Sequence, residues 1–88
     1  MTKPLIALCL SAATVSAFAG AKCDKHPASE QIPPAKFQQQ LKEQGYTIQK
    51  FKTDDNCYEI YGTNKEGQKV EIYFDTKTGQ PVKTEVKS

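Results

Sequence analysis

Hydrophobic and polar residues follow two different periods along the chain, and each period predicts one kind of element. Within residues 34–44, Phe37 and Leu41 lie four positions apart among glutamines and charged residues. That spacing is typical of a helix with one buried stripe. The Pro33-Pro34 pair favours the first helical turn, and Gly45 favours its end. We therefore predict one amphipathic helix over about residues 34–44.

After the helix, apolar residues recur at every second position, which predicts strands. The pattern indicates strands over residues 46–52, 57–63 and 70–75, and a short last strand over residues 82–86. In the first strand the alternation slips between Ile48 and Phe51, which indicates a bulge or twist, or apolar side chains on both faces. Aspartate, asparagine and glycine, which favour turns, lie between the predicted elements. Four of them are assigned structural roles in turns, namely Gly45, Gly67, Asp75 and Gly79.

The short turns between successive strands require antiparallel pairing. The predicted fold is therefore α+β, with one N-terminal helix packed on a three- to four-stranded antiparallel β-meander. The helix covers the apolar face of the sheet. We expect the opposite face to meet water or a partner, and we interpret its side chains as a candidate interaction surface: Glu59, Tyr61, Glu71 and Tyr73.

The first nineteen residues have the composition of a signal peptide. Lys3 gives a positive start, and the apolar run that follows is about 14 residues, short of the roughly 20 that span a bilayer. Ala17-Phe18-Ala19 offers small residues where signal peptidase reads them, and a cut after Ala21 is the alternative. We predict a signal peptide over residues 1–19, an extended segment over residues 20–32 and a folded domain over residues 33–88. The product is periplasmic or secreted, without a stable membrane anchor after cleavage.

Cleavage would remove Cys9 and leave Cys23 and Cys57. An even pair of cysteines in a small exported domain predicts a disulfide bond. The alternative is a small-ligand, metal or redox accessory domain that uses Cys23, His26 and Cys57. One cysteine and one histidine in Cys23-Asp24-Lys25-His26 supply only half of a tetrahedral metal site, so we favour the disulfide.

Length and charge exclude several classes of protein. The chain has 88 residues, with 12 lysines, no arginine and 10 acidic residues, for a net charge of +2. It is too short for a Rossmann or barrel enzyme, and its net charge is too close to zero to indicate a nucleic-acid binder. Glu59 and Glu71 could suggest paired catalytic carboxylates, but a small sheet offers no cleft, so we interpret them as cross-strand charge pairs. We predict no catalytic residues, no metal site and no cofactor.

Several segments resemble the PepSY domain family, in particular its small exported single-domain bacterial members. The resemblance includes the helix that ends in Gly45-Tyr46, the strand over residues 47–53, the acidic turn after it and Cys57-Tyr58-Glu59-Ile60-Tyr61-Gly62. It continues through Lys69-Val70-Glu71-Ile72-Tyr73-Phe74-Asp75 and the Thr78-Gly79 turn, and it covers about residues 32–83. PepSY domains are similar to segments of secreted peptidase propeptides, which are proposed to restrain peptidases or to assist their folding.

The resemblance implies a non-enzymatic protein-interaction module that modulates or inhibits peptidases. No peptidase is linked to the domain in this sequence, so the expected target is a separate periplasmic protein that is bound in trans. The family supplies no active site to carry over.

Overall fold

The elements follow one another in the predicted order. The structure is a computed structural model that describes residues 20–87, so the predicted signal peptide lies outside the described residues. The α+β class and the antiparallel sheet are confirmed, and the described sheet has four strands. The elements are helix α1 (Pro34–Glu43) and strands β1 (Thr47–Asp54), β2 (Cys57–Thr63), β3 (Lys69–Asp75) and β4 (Pro81–Val86), preceded by a 3₁₀ turn at Ala28–Glu30.

Helix α1 begins and ends where its local chemistry favours it. Pro34 occupies the first helical position, where a missing amide hydrogen costs nothing. Gly45 follows the C-terminal turn with a φ of 102°, a left-handed conformation that glycine adopts without a steric penalty. The amide of Gly45 donates to the carbonyl of Lys42, which satisfies one of the last helical acceptors. The helix is thus limited to three turns by proline at one end and glycine at the other.

The core lies between α1 and the sheet face that carries Tyr58, Ile60, Val70, Ile72 and Phe74, which we call the inner face. The Phe37 ring packs edge-on against Phe74, with 4.9 Å between ring centroids, and lies 5.3 Å from the Tyr58 ring. Leu41 is buried one helical turn later. The predicted stripe of the helix therefore contributes directly to the core.

The sheet is a simple meander with β1 and β4 at its edges, in the order β1-β2-β3-β4. The register between β1 and β2 shifts between Ile48 and Lys50, which confirms the irregularity that the sequence pattern indicates. A second shift lies between Tyr73 and Phe74 of β3 against β4, where Lys83 and Pro81 are the partners. Such irregularities increase the local twist of a sheet and bend the strand that carries the additional residue.

The lead segment (residues 20–32) is not extended throughout, which corrects the sequence-based expectation. Ala28–Glu30 forms a 3₁₀ turn directly after Pro27, with the Glu30 amide donating to the Pro27 carbonyl at 2.9 Å. The segment then joins the sheet, where the Ile32 amide donates to the Thr76 carbonyl at 2.8 Å. The Tyr58 hydroxyl also donates to the Ile32 carbonyl at 2.6 Å. Both backbone polar groups of Ile32 are therefore hydrogen-bonded, and they fix the end of the lead segment beside the sheet.

No helix within residues 20–87 is long and apolar enough to cross a membrane.

Candidate functional site: the outer face and the β4 edge

The face of the sheet opposite the helix, which we call the outer face, carries Glu59, Tyr61, Glu71 and Tyr73. The prediction that this face is open to water is wrong for three of these side chains. Glu59 is 1% exposed, Glu71 3% and Tyr73 4%, whereas Tyr61 is half-buried. Sequence patterns alone could not anticipate this burial, because it depends on where the residues that precede the helix lie.

The start of the lead segment lies against the outer face and is held there by covalent and hydrogen bonds. The structure contains the Cys23–Cys57 disulfide, with a Cα–Cα distance of 5.1 Å. The Cys23 amide donates to the Asp55 carbonyl at 3.2 Å, and the Lys83 ammonium donates to the Gly20 carbonyl at 3.2 Å. These contacts connect residues 20–23 with the turn before β2 at one side and with β4 at the other.

A second attachment joins the lead segment to the end of β3. His26 Nε2 lies 2.9 Å from Asp75 Oδ1, and both side chains are mostly buried. The other carboxylate oxygen of Asp75 accepts the amides of Lys77 and Thr78, at 3.0 and 2.8 Å. Burial would raise the pKa of Asp75, but the Thr78 amide, His26 and the Lys77 amide outweigh that effect and lower it to about 2. Asp75 therefore stabilises both the turn after β3 and the position of the lead segment.

We expect Asp75→Asn to remove stability at neutral pH but not in strong acid. A carboxyl with a lowered folded pKa contributes stability above its unfolded pKa near 4, and that contribution is lost as the pH falls toward 2. Urea denaturation at pH 7 should show a loss of roughly 1–2 kcal/mol, allowing for solvent screening at this partly exposed site.

At pH 2 the Asp75→Asn protein and the parent should unfold at nearly the same urea concentration. Asp54→Asn is the matched control, since Asp54 is an exposed residue at the end of β1. An equal difference between Asp75→Asn and the parent at both pH values would refute the assignment.

Two carboxyl groups of the outer face form a close pair on neighbouring strands. Burial raises the pKa of Glu59, and the neighbouring carboxyl group of Glu71 raises it further, against opposing effects of Tyr61, Tyr73 and Lys52. Burial would also raise the pKa of Glu71, but the neighbouring Glu59 carboxyl and contacts with Tyr61 and Lys87 lower it overall. The pKa values of the two carboxyl groups are thus shifted in opposite directions, as expected when like charges lie close together.

The two outer-face tyrosines pack around this pair. The Tyr73 hydroxyl donates to Glu71 Oε2 at 3.2 Å. Burial, followed by the neighbouring Glu59 and Glu71, raises the pKa of Tyr73. Hydrogen bonding with Glu71, followed by burial, raises the pKa of Tyr61. Both phenols therefore stay protonated across the physiological pH range, and their hydroxyl groups are available as donors to Glu71.

The alternative metal set of Cys23, His26 and Cys57 does not assemble, because the two sulfur atoms are bonded to each other. Cysteine binds metals as a thiolate, which a disulfide does not provide. A different group comes close instead: ligand atoms of Asp24, His26 and Asp75 lie within 4.8 Å of one another. The direct contact of His26 with Asp75 explains this proximity, and Asp24 is exposed. We therefore assign the group a structural role.

The remaining turn residues lie where the sequence places them. Gly67 has a φ of 83° in the hairpin between β2 and β3, and its amide donates to the Asn64 carbonyl at 2.9 Å. Gly79 has a φ of 76°, and its amide donates to the Asp75 carbonyl at 2.9 Å. A side chain at Gly79 would also come within 3.3 Å of Phe37, so this turn packs against the helix.

The two edges of the sheet differ in how they are protected. Lys50 and Lys52 place charges along β1, a device that discourages pairing with another strand. On β4 the exposed apolar residues are Val82 and Val86, at 50% and 51%. Val86 pairs with the core residue Val70 and so lies on the inner face, but the backbone of α1 does not approach that of β4. Within the described residues, β4 is therefore an apolar edge that the helix leaves uncovered.

The charged side chains of β4 and its end are directed to the outer face. Lys83 contacts the Gly20 carbonyl, and the Lys87 ammonium lies 3.3 Å from Glu71 Oε1. Glu85 lies near Lys87 at 3.9 Å on the same side. Charge is consequently concentrated on one face of β4, and the apolar groups on the other.

Two features that carry the site escaped the sequence analysis. The His26–Asp75 contact joins residues 49 positions apart, and the single histidine beside a cysteine suggested a metal site instead. Gly62 lies within β2, where its lack of a side chain allows a close approach by β1. A glycine inside an otherwise regular strand was the available signal for such an approach.

Comparison with protein families identifies the group of proteins to which the chain is related. The family model described as peptidase propeptide and YPEB domain matches residues 3–85 of the 88-residue chain. The chain belongs to the PepSY family. Comparison with curated proteins and with solved structures gives no significant match. This PepSY domain is thus related to modules found in the propeptides of peptidases, and the resemblance in the sequence is confirmed.

Proposed function

We propose that this PepSY domain is a non-enzymatic interaction module that acts outside the cytoplasm and binds a peptidase in trans through strand β4. Membership in a family of propeptide domains supports a peptidase as the partner. The apolar, helix-free edge of β4 is the single observation that supports its location. A modulator or inhibitor that binds in this way needs no catalytic residues of its own.

The export of the protein is part of the proposal. Residues 1–19 carry the positive start, apolar run and small residues of a signal peptide, and cleavage before Gly20 leaves 11 lysines and 10 acidic residues. The Cys23–Cys57 disulfide is consistent with folding in an oxidising compartment, where such bonds persist. These two features together support a periplasmic or secreted location.

Strand addition is the binding mode that suits the β4 edge. An extended peptide that pairs with an edge strand gains main-chain hydrogen bonds, while alternate side chains supply the specificity. Strand β4 offers six residues for pairing, and Val82 and Val86 offer apolar contact beside the new strand. Lys50 and Lys52 disfavour the same event at β1. The expected partner segment is therefore extended, with apolar side chains on the side that faces α1.

A photoreactive amino acid placed at position 86 tests the proposal in cells that export the protein. We expect it to form a covalent adduct with a secreted peptidase, because position 86 is half-exposed at the binding edge. The matched control carries the same amino acid at position 53, where Thr53 is exposed on the opposite edge. Mass spectrometry of the adducts identifies the partner.

The function itself is tested on the peptidase that is identified. A stoichiometric amount of the PepSY domain should change its activity toward a peptide substrate, and Val82→Lys with Val86→Lys should abolish that change. The proposal fails if position 53 captures the same protein as position 86. It also fails if the captured protein is not a peptidase or its activity is unaffected.

A further inference from the structure

The carboxyl group of Glu59 has an environment that the proposed function does not explain. The side chain is 1% exposed, and neither of its oxygens accepts a conventional hydrogen bond within the described part of the chain. A buried carboxylate without a partner is unfavourable, and such groups are rare in folded proteins. The position therefore indicates that a donor or a positive charge belongs beside Glu59.

The cations nearest to the acidic pair are unequally distributed. The Lys87 ammonium lies 3.3 Å from Glu71 Oε1. The Lys52 ammonium lies 3.7 Å from Glu59 Oε1, too far for a hydrogen bond, and its side chain is 46% exposed. Glu71 is thus well compensated, whereas Glu59 is compensated only at a distance.

The backbone of Gly20 lies close to this pair. A side-chain carbon built on Gly20 would be 3.3 Å from the Tyr73 hydroxyl, and that hydroxyl donates to Glu71 at 3.2 Å. Standard bond lengths then place the Gly20 nitrogen within about 6 Å of the Tyr73 hydroxyl. Tyr73 is the cross-strand partner of Glu59, and partners share one face of a sheet. The Gly20 nitrogen consequently lies within about 9 Å of Glu71 Oε2, over the face that also carries Glu59. The disulfide three residues later limits how far it can move.

We propose that the α-ammonium group created by cleavage before Gly20 binds the Glu59–Glu71 pair and fastens the lead segment to the outer face. This inference rests on the proposed signal-peptide cleavage but not on the binding of a peptidase. In the uncleaved chain the same nitrogen is a neutral amide with one hydrogen. In the processed chain it carries a positive charge and three donors, enough to serve both carboxylates at once. Maturation would thus complete the charge balance of the outer face.

Direct titration of the amine tests the inference on a chain that starts at Gly20, released from a fusion partner by a protease that leaves no additional residue. We expect the α-ammonium pKa, followed by the NMR signals of Gly20, to lie at least about 1 above the ordinary value near 8. Glu59→Gln should return it toward that value. Acetylation of the amine should lower the melting temperature by roughly 4 °C at pH 7, a small-domain shift for the loss of one charge-assisted contact.

The sign of the pH dependence gives a further check. A raised amine pKa contributes stability that is complete below the unfolded value near 8 and disappears as the pH rises through the folded value. Acetylated and free chains should therefore converge in melting temperature above that pH. The other charged or titratable groups that face the pair or Gly20 are Lys52, Tyr61, Tyr73, Lys83 and Lys87. Lys52→Gln is the matched control and should leave the amine pKa raised.

An ordinary amine pKa that Glu59→Gln does not change would overturn the inference. Its failure is separable from that of the proposed function, since the titration uses no peptidase. Sequencing the N-terminus of exported protein tests the cleavage on its own. If cleavage occurs after Ala21, the titration is repeated on that chain, and an ordinary pKa there would also refute the inference.

Discussion

Loss of the Cys23–Cys57 disulfide should lower the free energy of unfolding by roughly 3–4 kcal/mol, measured by urea denaturation of the Cys23→Ser/Cys57→Ser variant. The bond closes a loop with a sequence separation of 34, and chain-entropy reasoning gives that magnitude for a loop of this length. A small domain has only about 5–15 kcal/mol of total stability. We therefore expect the variant to unfold at a much lower urea concentration than the parent.

The effect should be concentrated in one part of the molecule. Without the disulfide, the start of the lead segment keeps the Cys23 amide and Lys83 contacts, each of them a single hydrogen bond. Such bonds contribute about 1 kcal/mol, which is too little to hold a short segment against its conformational entropy. Hydrogen exchange of the backbone amide at position 23 should thus accelerate in the variant, with much less change in the Ile60 and Ile72 amides of the central strands.

Reductant provides the control for the disulfide prediction. It should destabilise the parent to the level of the double serine variant and leave that variant unchanged. The interpretation is wrong if the loss stays below about 1 kcal/mol. It is also wrong if hydrogen exchange of the amide at position 23 remains slow in the double serine variant.

The inner face could be predicted from the sequence because its signals are local. Phe37 and Leu41 follow the helical period, and Val70, Ile72 and Phe74 follow the strand period, and all five are buried in the core. Each signal depends only on residues a few positions away. For the same reason the slip near Ile48 was sufficient to indicate the irregularity in β1.

The outer face could not be predicted in the same way. Alternation assigns Glu59, Glu71 and Tyr73 correctly to one face, but burial depends on what lies over that face. The lead segment reaches it through contacts that join distant positions: Cys23 to Cys57, His26 to Asp75 and Gly20 to Lys83. The cysteine pair predicted the first of these. No periodic pattern specifies on which side of the sheet such a linked segment passes, so polar residues there suggested an open surface.

Gly62 is a second feature whose structural role the local sequence pattern could not predict. It is the partner of Ile48, directly beside the register shift of β1. A side-chain carbon at this position would collide with the Thr47 carbonyl oxygen and lie 3.2 Å from the Ile48 Cα, both backbone atoms. Backbone cannot rotate away as a flexible side chain can. The close approach therefore requires glycine, although the local sequence pattern would accept any small residue.

We expect Gly62→Ala to lower the free energy of unfolding by about 3 kcal/mol, at the upper end of the cost of overpacking a core. The start of β1 would have to move away from β2. That movement would also disturb the hydrogen bond that the Tyr46 amide donates to the Leu41 carbonyl at the end of the helix. Urea denaturation followed by circular dichroism measures the loss. A variant too unstable to fold would agree with the prediction.

Gly67→Ala separates the steric cost from the conformational cost of replacing glycine. Gly67 has a φ of 83° but nothing within 4 Å of an added side chain, so alanine there should cost only about 1–2 kcal/mol, from the left-handed backbone alone. Gly62 has no left-handed conformation, and alanine would even reduce the entropy of its unfolded chain. A greater loss at position 62 than at position 67 can thus come only from the contact with β1. Equal losses, or a smaller one at position 62, would mean that β1 can move aside freely and that the close approach does not determine the register of the sheet.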